Sequence, residues 1–245
     1  MAEAQILPTR RDEDYRYADL PALAPLWPID RETIHVPAGE SRSLVVVQTG
    51  ADAQARDIVV ELGEGAAFDL RILTAAGASA RIAVEARLAG GATFDLGAAQ
   101  LAGGNATAEI VTRVIHAAPD AVSRQVVRSV AAAQGTVNYL GKVLVEKGAD
   151  GTDGEQSVRA MLLDRTATAN ARPELEIHAD DVKCAHGCAV GELDGQALFY
   201  MAQRGLPPEL AKRLMLQAFV AEAFSGAADE ETLQDQARLA LEELL

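Results

Sequence analysis

The sequence predicts a mainly β fold of stacked coils, with a short polar arm before it and α-helices after it. Three observations carry the prediction. A Gly-Ala pattern recurs along the middle of the chain, short apolar runs alternate there with polar residues, and past about residue 190 the apolar spacing changes to every third or fourth residue.

Residues 1–42 are polar and punctuated by Pro8, Pro21, Pro25, Pro28 and Pro37, and they read as an N-terminal arm with one short helix near Arg11–Leu20. Residues 43–190 read as the β core. Ile58-Val59-Val60-Glu61-Leu62 and Ala108-Glu109-Ile110-Val111-Thr112-Arg113-Val114 show the period of two expected of strands. Gly65-Ala66-Ala67-Phe68-Asp69-Leu70 recurs as Gly91-Ala92-Thr93-Phe94-Asp95-Leu96, a step of 26 residues. Gly77-Ala78 lies between the two copies, and a looser copy starts at Gly104. A repeat of this length fits a parallel β-helix with coils of roughly 20–28 residues, in which each coil buries its apolar edge by stacking on the next. It places Phe68 and Phe94 in equivalent positions on adjacent coils. Hairpin turns in a β-sandwich are the alternative that the residues alone leave open.

Residues 191–245 read as helical. Asp194 is a candidate N-cap for a helix that ends at Arg204-Gly205, and Pro207-Pro208 suits the first turn of the next helix. On that second helix, Leu210, Leu214 and Ala218 form a stripe expected to pack on the end of the β core. Phe199, Tyr200, Leu216, Val220 and Phe224 are then expected to face a partner. A last amphipathic helix runs from about Asp229 to Leu245, with Leu233, Ala237, Leu241 and Leu244 on one side.

The 22 basic and 36 acidic residues give a formal charge of −14, which argues against nucleic acid and anionic membranes as partners. No run approaches the ~18 apolar residues of a membrane span. The N-terminus has no secretory pattern, and the two cysteines offer no disulfide framework, so a reducing, cytoplasmic location is expected. No phosphate-binding loop is present, so the isolated chain is expected to show no ATPase activity.

The one concentration of reactive side chains is Ile177-His178-Ala179-Asp180-Asp181-Val182-Lys183-Cys184-Ala185-His186-Gly187-Cys188, with both cysteines and half of the four histidines. In an extended strand Cys184, His186 and Cys188 fall on one face, where thiols and an imidazole suit a soft ion such as zinc or iron. Lys183 nearby would favour the thiolate. Three readings stay open: structural burial of the cysteines, a shared or transient metal or sulfur site, and a Cys-His nucleophilic enzyme, for which no oxyanion hole is evident. His35 and His116 read as surface residues.

The same stretch, read from Pro173-Glu174-Leu175-Glu176-Ile177-His178 through Lys183-Cys184-Ala185-His186-Gly187 to Leu198-Phe199-Tyr200 and Arg204-Gly205, resembles the SufB/SufD family of iron–sulfur cluster assembly proteins. Gly141-x-Val143-x-Val145, Thr152-Asp153-Gly154-x-Gln156 and the patch Thr9-Arg10-Arg11-x-Glu13-x-Tyr15-Arg16-Tyr17 extend the resemblance. The Lys-Cys-Ala-His-Gly run is similar to the SufD form, since SufB-like chains carry Glu after the corresponding histidine. The resemblance implies a right-handed parallel β-helix with C-terminal helices and a non-catalytic scaffold subunit. It implies pairing with SufB through the β-helix, or with a second copy when isolated, and docking of the ATPase SufC on the C-terminal helices. Cys184 and His186 fall on the positions associated with a transient cluster at the SufB interface; no cofactor is expected to stay bound to the isolated chain. A purely architectural assembly protein remains an alternative. The chain is shorter than typical members, and Cys188 stands where a small non-thiol residue is usual, which makes it an additional candidate ligand or a filler.

Overall fold

The computed structural model describes residues 6–245, with Ala76 as backbone only. Twelve strands follow one another: β1 (Arg31–Val36), β2 (Ser41–Gly50), β3 (Gln54–Leu62), β4 (Ala67–Ala76), β5 (Ser79–Leu88), β6 (Thr93–Ala102), β7 (Thr107–His116), β8 (Val122–Ala131), β9 (Thr136–Val145), β10 (Asp153–Leu162), β11 (Thr168–Ile177) and β12 (Lys183–Gly191). Odd-numbered strands form one six-stranded sheet in the order β1-β3-β5-β7-β9-β11, and even-numbered strands form a second in the order β2-β4-β6-β8-β10-β12. Among the described residues every strand pairing is parallel. The chain is therefore a parallel β-solenoid of six coils, each contributing one strand to each sheet.

The repeat has a physical basis in the corners. Gly65 and Gly91 take φ of 61° and 65° where the chain crosses from the odd to the even sheet, a backbone geometry that suits glycine. Gly77 and Gly104 lie at the opposite corners, which explains why the Gly-Ala signal recurs at half the repeat. Phe68 pairs with Phe94 in register, a step of 26 residues, and their rings stack in the lumen with planes 2° apart and centroids separated by 6.4 Å. Coils lengthen toward the C-terminus, beyond the expected range: Thr136 pairs with Thr168, a step of 32. The solenoid also starts earlier than residue 43, since β1 lies within the expected arm and pairs with β3.

Between the sheets lies an apolar lumen that includes Ile58, Leu70, Ile72, Ile82, Phe94, Leu96 and Ile110. The sequence reading of His116 as a surface residue is corrected here, because the side chain is fully buried in this lumen with Nε2 2.9 Å from Ser123 Oγ. Loss of water pushes its imidazole down to about 4. The unfolded chain takes up a proton here below about pH 6.5 and the folded chain only near pH 4. Stability is thus kept above that window and lost as pH falls through it, by at most about 3 kcal/mol. His116→Gln should flatten the dependence of the urea midpoint on pH between 6.5 and 4; an unchanged slope would assign it to another group.

The N-terminal segment crosses the outer face of the odd sheet. It contains a 3₁₀ turn at Glu13–Tyr15 and α1 (Leu20–Leu23) rather than one helix over 11–20. Arg81, buried and paired with buried Glu109, donates to the Asp14 carbonyl at 2.9 Å and sits 4.2 Å from the Tyr15 ring centroid. Asn138 donates to the Tyr17 carbonyl and Arg172 reaches Glu13, so three coils hold this strap.

Helix α2 (Gly195–Gln203), capped by Asp194, packs on α3 (Pro208–Ala221), and α3 and α4 (Glu230–Leu244) cover the outer face of the even sheet. They lie on the face of the sheet, not on the end of the solenoid. The buried side of α3 also differs from expectation. Leu216, Val220 and Phe224 are buried against Leu73, Ala99, Leu101 and Val130 of the sheet, whereas Leu214 is exposed. On α4, Leu233, Ala237 and Leu241 pack inward as expected. None of the described helices is long and apolar enough to cross a membrane.

Candidate functional site

Cys184, His186 and Cys188 lie on β12, the last strand of the even sheet. Their register partners on β10 are Gly154, Gln156 and Val158. Those three residues are buried, and Cys184 packs on the lumen core, so alternation turns the trio toward the lumen at its open end. Cys184 is half-buried, while His186 and Cys188 are exposed.

The expected face is therefore formed, but the three side chains are strung along it in steps of about 6.7 Å per two residues. Among the described residues no group of three His, Cys, Asp or Glu side chains is close enough together to hold a metal ion. The chain alone brings a thiol and an imidazole to one edge without completing a site. His178 stands apart at the preceding corner, bonded to Glu176 at 2.8 Å. Glu176 is held down to about 2 by hydrogen bonds from Lys142 first and His178 second.

The thiols are less acidic in character than the neighbouring lysine led us to expect. Burial pushes the Cys184 thiol up, opposed by a hydrogen bond from the Gly154 backbone and reinforced by the Asp153 charge; burial also pushes up Cys188. Lys183 is adjacent in sequence, so its side chain projects from the other face of the strand.

The lumen beneath the trio is polar, a feature that sequence reasoning missed. Gln125, Gln156 and His186 occupy one register column across β8, β10 and β12. Thr112 Oγ1 and the Tyr139 hydroxyl lie 2.9 and 3.1 Å from Gln125 Oε1, and Gln156 Nε2 lies 3.5 Å from the same Tyr139 hydroxyl. Burial pushes the Tyr139 phenol up, so it stays protonated and able to donate. The quoted family motif around Thr152–Gln156 was the available signal.

Among the described residues β12 has β10 as its only neighbour in its sheet, and β11 has only β9, so both sheets end in an unpaired edge at this end of the solenoid. Ile177 and Val190 are exposed there. Long open edges present free N–H and C=O groups and are templates for adding another chain.

Residues 38–219 match the family described as SUF system FeS cluster assembly, SufBD core domain. The chain is 36% identical over 133 residues to Protein ABCI7, chloroplastic, of Arabidopsis thaliana, covering 54% of this chain and 28% of that protein. It is 35% identical over 108 residues to the iron–sulfur cluster assembly protein SufD of Escherichia coli, covering 44% of this chain and 26% of the relative. With SufD of Bacillus subtilis the identity is 39% over 84 residues, covering 34% of this chain and 19% of the relative. The matched segments thus span no more than 28% of the length of these relatives.

Proposed function

The chain belongs to the SufBD family of iron–sulfur cluster assembly proteins, and from that premise we propose that it is a SufD-type scaffold subunit, without catalytic activity of its own. In this reading it acts in the cytoplasm. The solenoid pairs edge to edge with a SufB-type chain, and Cys184 and His186 contribute ligands to a nascent cluster carried as cargo between them. Cys188 is a weaker third candidate. The observation that carries the proposal is the placement of Cys184 and His186 on an unpaired terminal strand. A partner strand added there would bring its own ligands to an incomplete set, and strand addition supplies affinity through main-chain hydrogen bonds.

The chemistry of the donor set fits transient rather than permanent loading. A thiol and an imidazole satisfy part of an iron–sulfur cluster, and the remaining ligands must come from elsewhere. Thiols whose pKa is raised lose their protons on binding iron, so cluster formation should release protons at this edge.

The helical region, residues 191–245, would dock an ATPase subunit of the SufC type. Of the side chains expected to face that partner, Phe199 and Tyr200 on α2 are 65% and 56% exposed, while Leu216, Val220 and Phe224 are committed to the core. Phe199→Ala with Tyr200→Ala is expected to weaken SufC binding by about 2 kcal/mol or more, the loss typical of aromatic anchors. Isothermal titration would measure it. Unchanged affinity would move the docking surface off α2.

Co-expression with SufB- and SufC-type partners tests the whole proposal. A complex containing all three chains is expected. If gentle purification recovers neither partner, or the isolated chain pairs only with itself, the heteromeric scaffold is excluded.

A further inference from the structure

Resting on the proposal that His186 is a cluster ligand, we infer that Gln156 is its positioning residue: the Gln156 side-chain carbonyl accepts an imidazole N–H of His186 and leaves the opposite ring nitrogen free for iron.

The orientation of the Gln156 amide follows from proton bookkeeping. The Thr112 and Tyr139 hydroxyls each carry one proton, and the two oxygens lie 3.0 Å apart beside Gln125 Oε1. A carbonyl oxygen has no proton to give, so both hydroxyl protons are used within this triangle. The Tyr139 oxygen then has lone pairs left, and its next partner must be a donor. Gln156 therefore turns its NH₂ toward Tyr139, as the contact from Nε2 records, and its carbonyl the other way.

That carbonyl oxygen, Oε1, is buried and has no hydrogen-bond partner, in a side chain that is only 1% exposed; Gln125 Nε2 in the same column is likewise buried without a partner, so the two amides do not satisfy one another. Leaving a buried acceptor unpaired is costly, so a donor is to be expected nearby. The inward residues of the last coil are Ala169, Ala171, Pro173, Leu175 and Ile177 on β11 and Cys184, His186, Cys188 and Val190 on β12. Only His186 among them carries a side-chain N–H, and it is the register partner of Gln156. As an exposed side chain on the terminal strand, it is free to turn its ring inward onto the amide.

The arrangement matches how metal-binding histidines are generally held, with the second nitrogen donating to a carbonyl or carboxylate that fixes tautomer and orientation. Tyr139, Gln125 and Thr112 would then serve as the rigid base of this hydrogen-bond chain.

The test uses the full chain, labelled with ¹⁵N-histidine, free and bound to a SufB-type partner, together with a cluster assembly assay on the complex. In the complex, the wild type should show one His186 tautomer with a solvent-protected ring N–H. Gln156→Leu should lose that signal and lower cluster yield about tenfold. Gln156→Glu, whose carboxyl is held protonated by burial so that its O–H replaces the amide donor to Tyr139 while its carbonyl keeps the acceptor, should restore both. Where the Leu variant does not fold by thermal melt, Gln156→Asn, one methylene shorter, should likewise lose the signal. A wild-type His186 N–H that exchanges freely, or a signal unchanged in Gln156→Leu, overturns the inference. His186→Ala separates the two claims: full cluster yield without the imidazole rejects His186 as a ligand. Loss in His186→Ala with wild-type behaviour in Gln156→Leu rejects the positioning role alone.

Discussion

A Cys184→Ala, His186→Ala double variant should form the complete complex and yet assemble about tenfold less cluster, or worse. The fold should survive because the changed side chains contribute little to it. His186 is exposed, and Cys184 is half-buried at the end of the core where alanine keeps most of the contact. Removing one small, partly buried group costs less than the ~2–5 kcal/mol of a large core truncation. The loss of function has a different origin: with two of its donors gone, the edge offers iron only Cys188, beside Val158 and far along the strand. Iron and sulfide analysis of anaerobically reconstituted complex would measure the effect, and subunit stoichiometry in the same samples would separate assembly from ligation. Full cluster yield would favour pure architecture. A thioester or peptide turnover activity in the wild type, abolished by the same pair of substitutions, would instead favour the Cys-His enzyme.

The features legible in the sequence were those with one buried face and a constant period. Phe68 and Phe94 could be aligned because their coils are equal in length and share a glycine corner. Farther on, coil length drifts and Asp120 takes the left-handed corner with φ of 62°, so the repeat fades although the solenoid continues. β8 shows why alternation failed there. Gln125 and Val127 face the lumen while Arg128 and Val130 lie under the helices, so both faces are buried and both mix polar with apolar residues. A lumen glutamine looks like a surface residue in sequence, and its role emerges only when Tyr139 from the other sheet is placed against it. The trio on β12 was legible because a strand fixes every second side chain to one face. That the trio faces an open end, with no strand beyond β12, depends on the topology of the whole chain.

The burial of α3 was misjudged because its apolar residues surround most of the helix, and the stripe at Leu210, Leu214 and Ala218 is no more apolar than the face that packs. What selects the face is a close approach between Gly97 of β6 and the turn Glu222–Phe224 that follows α3. A Cβ at Gly97 would overlap the Ala223 carbonyl oxygen and the Arg71 guanidinium. Arg71 donates to that same carbonyl at 3.2 Å, and Arg128, nearly buried, pairs with Glu222 at 2.7 Å while donating to the Ser157 carbonyl at 2.9 Å. Glycine thus lets a backbone touch the sheet, and two arginines fix it there, with Ala223 and Phe224 fully buried beside them. Gly97→Ala should therefore destabilise by about 1–3 kcal/mol, the range for overpacking, because the obstacle is backbone that cannot rotate away. For a chain of this size that is a fall in melting temperature of roughly 2–12 °C. Gly191→Ala, where an added Cβ meets nothing within 4 Å, is the control and should melt like the wild type. Hydrogen exchange should speed up first in α3 and α4 and leave β10 and β12 protected. Under that pattern the variant should lose SufC binding while still pairing through its terminal edge, since α3, α4 and the turn between them lie across β4, β6 and β8 and the ligand strand lies beyond them. Equal loss of protection in β12 would mean that the docking helices and the cluster edge form one cooperative unit.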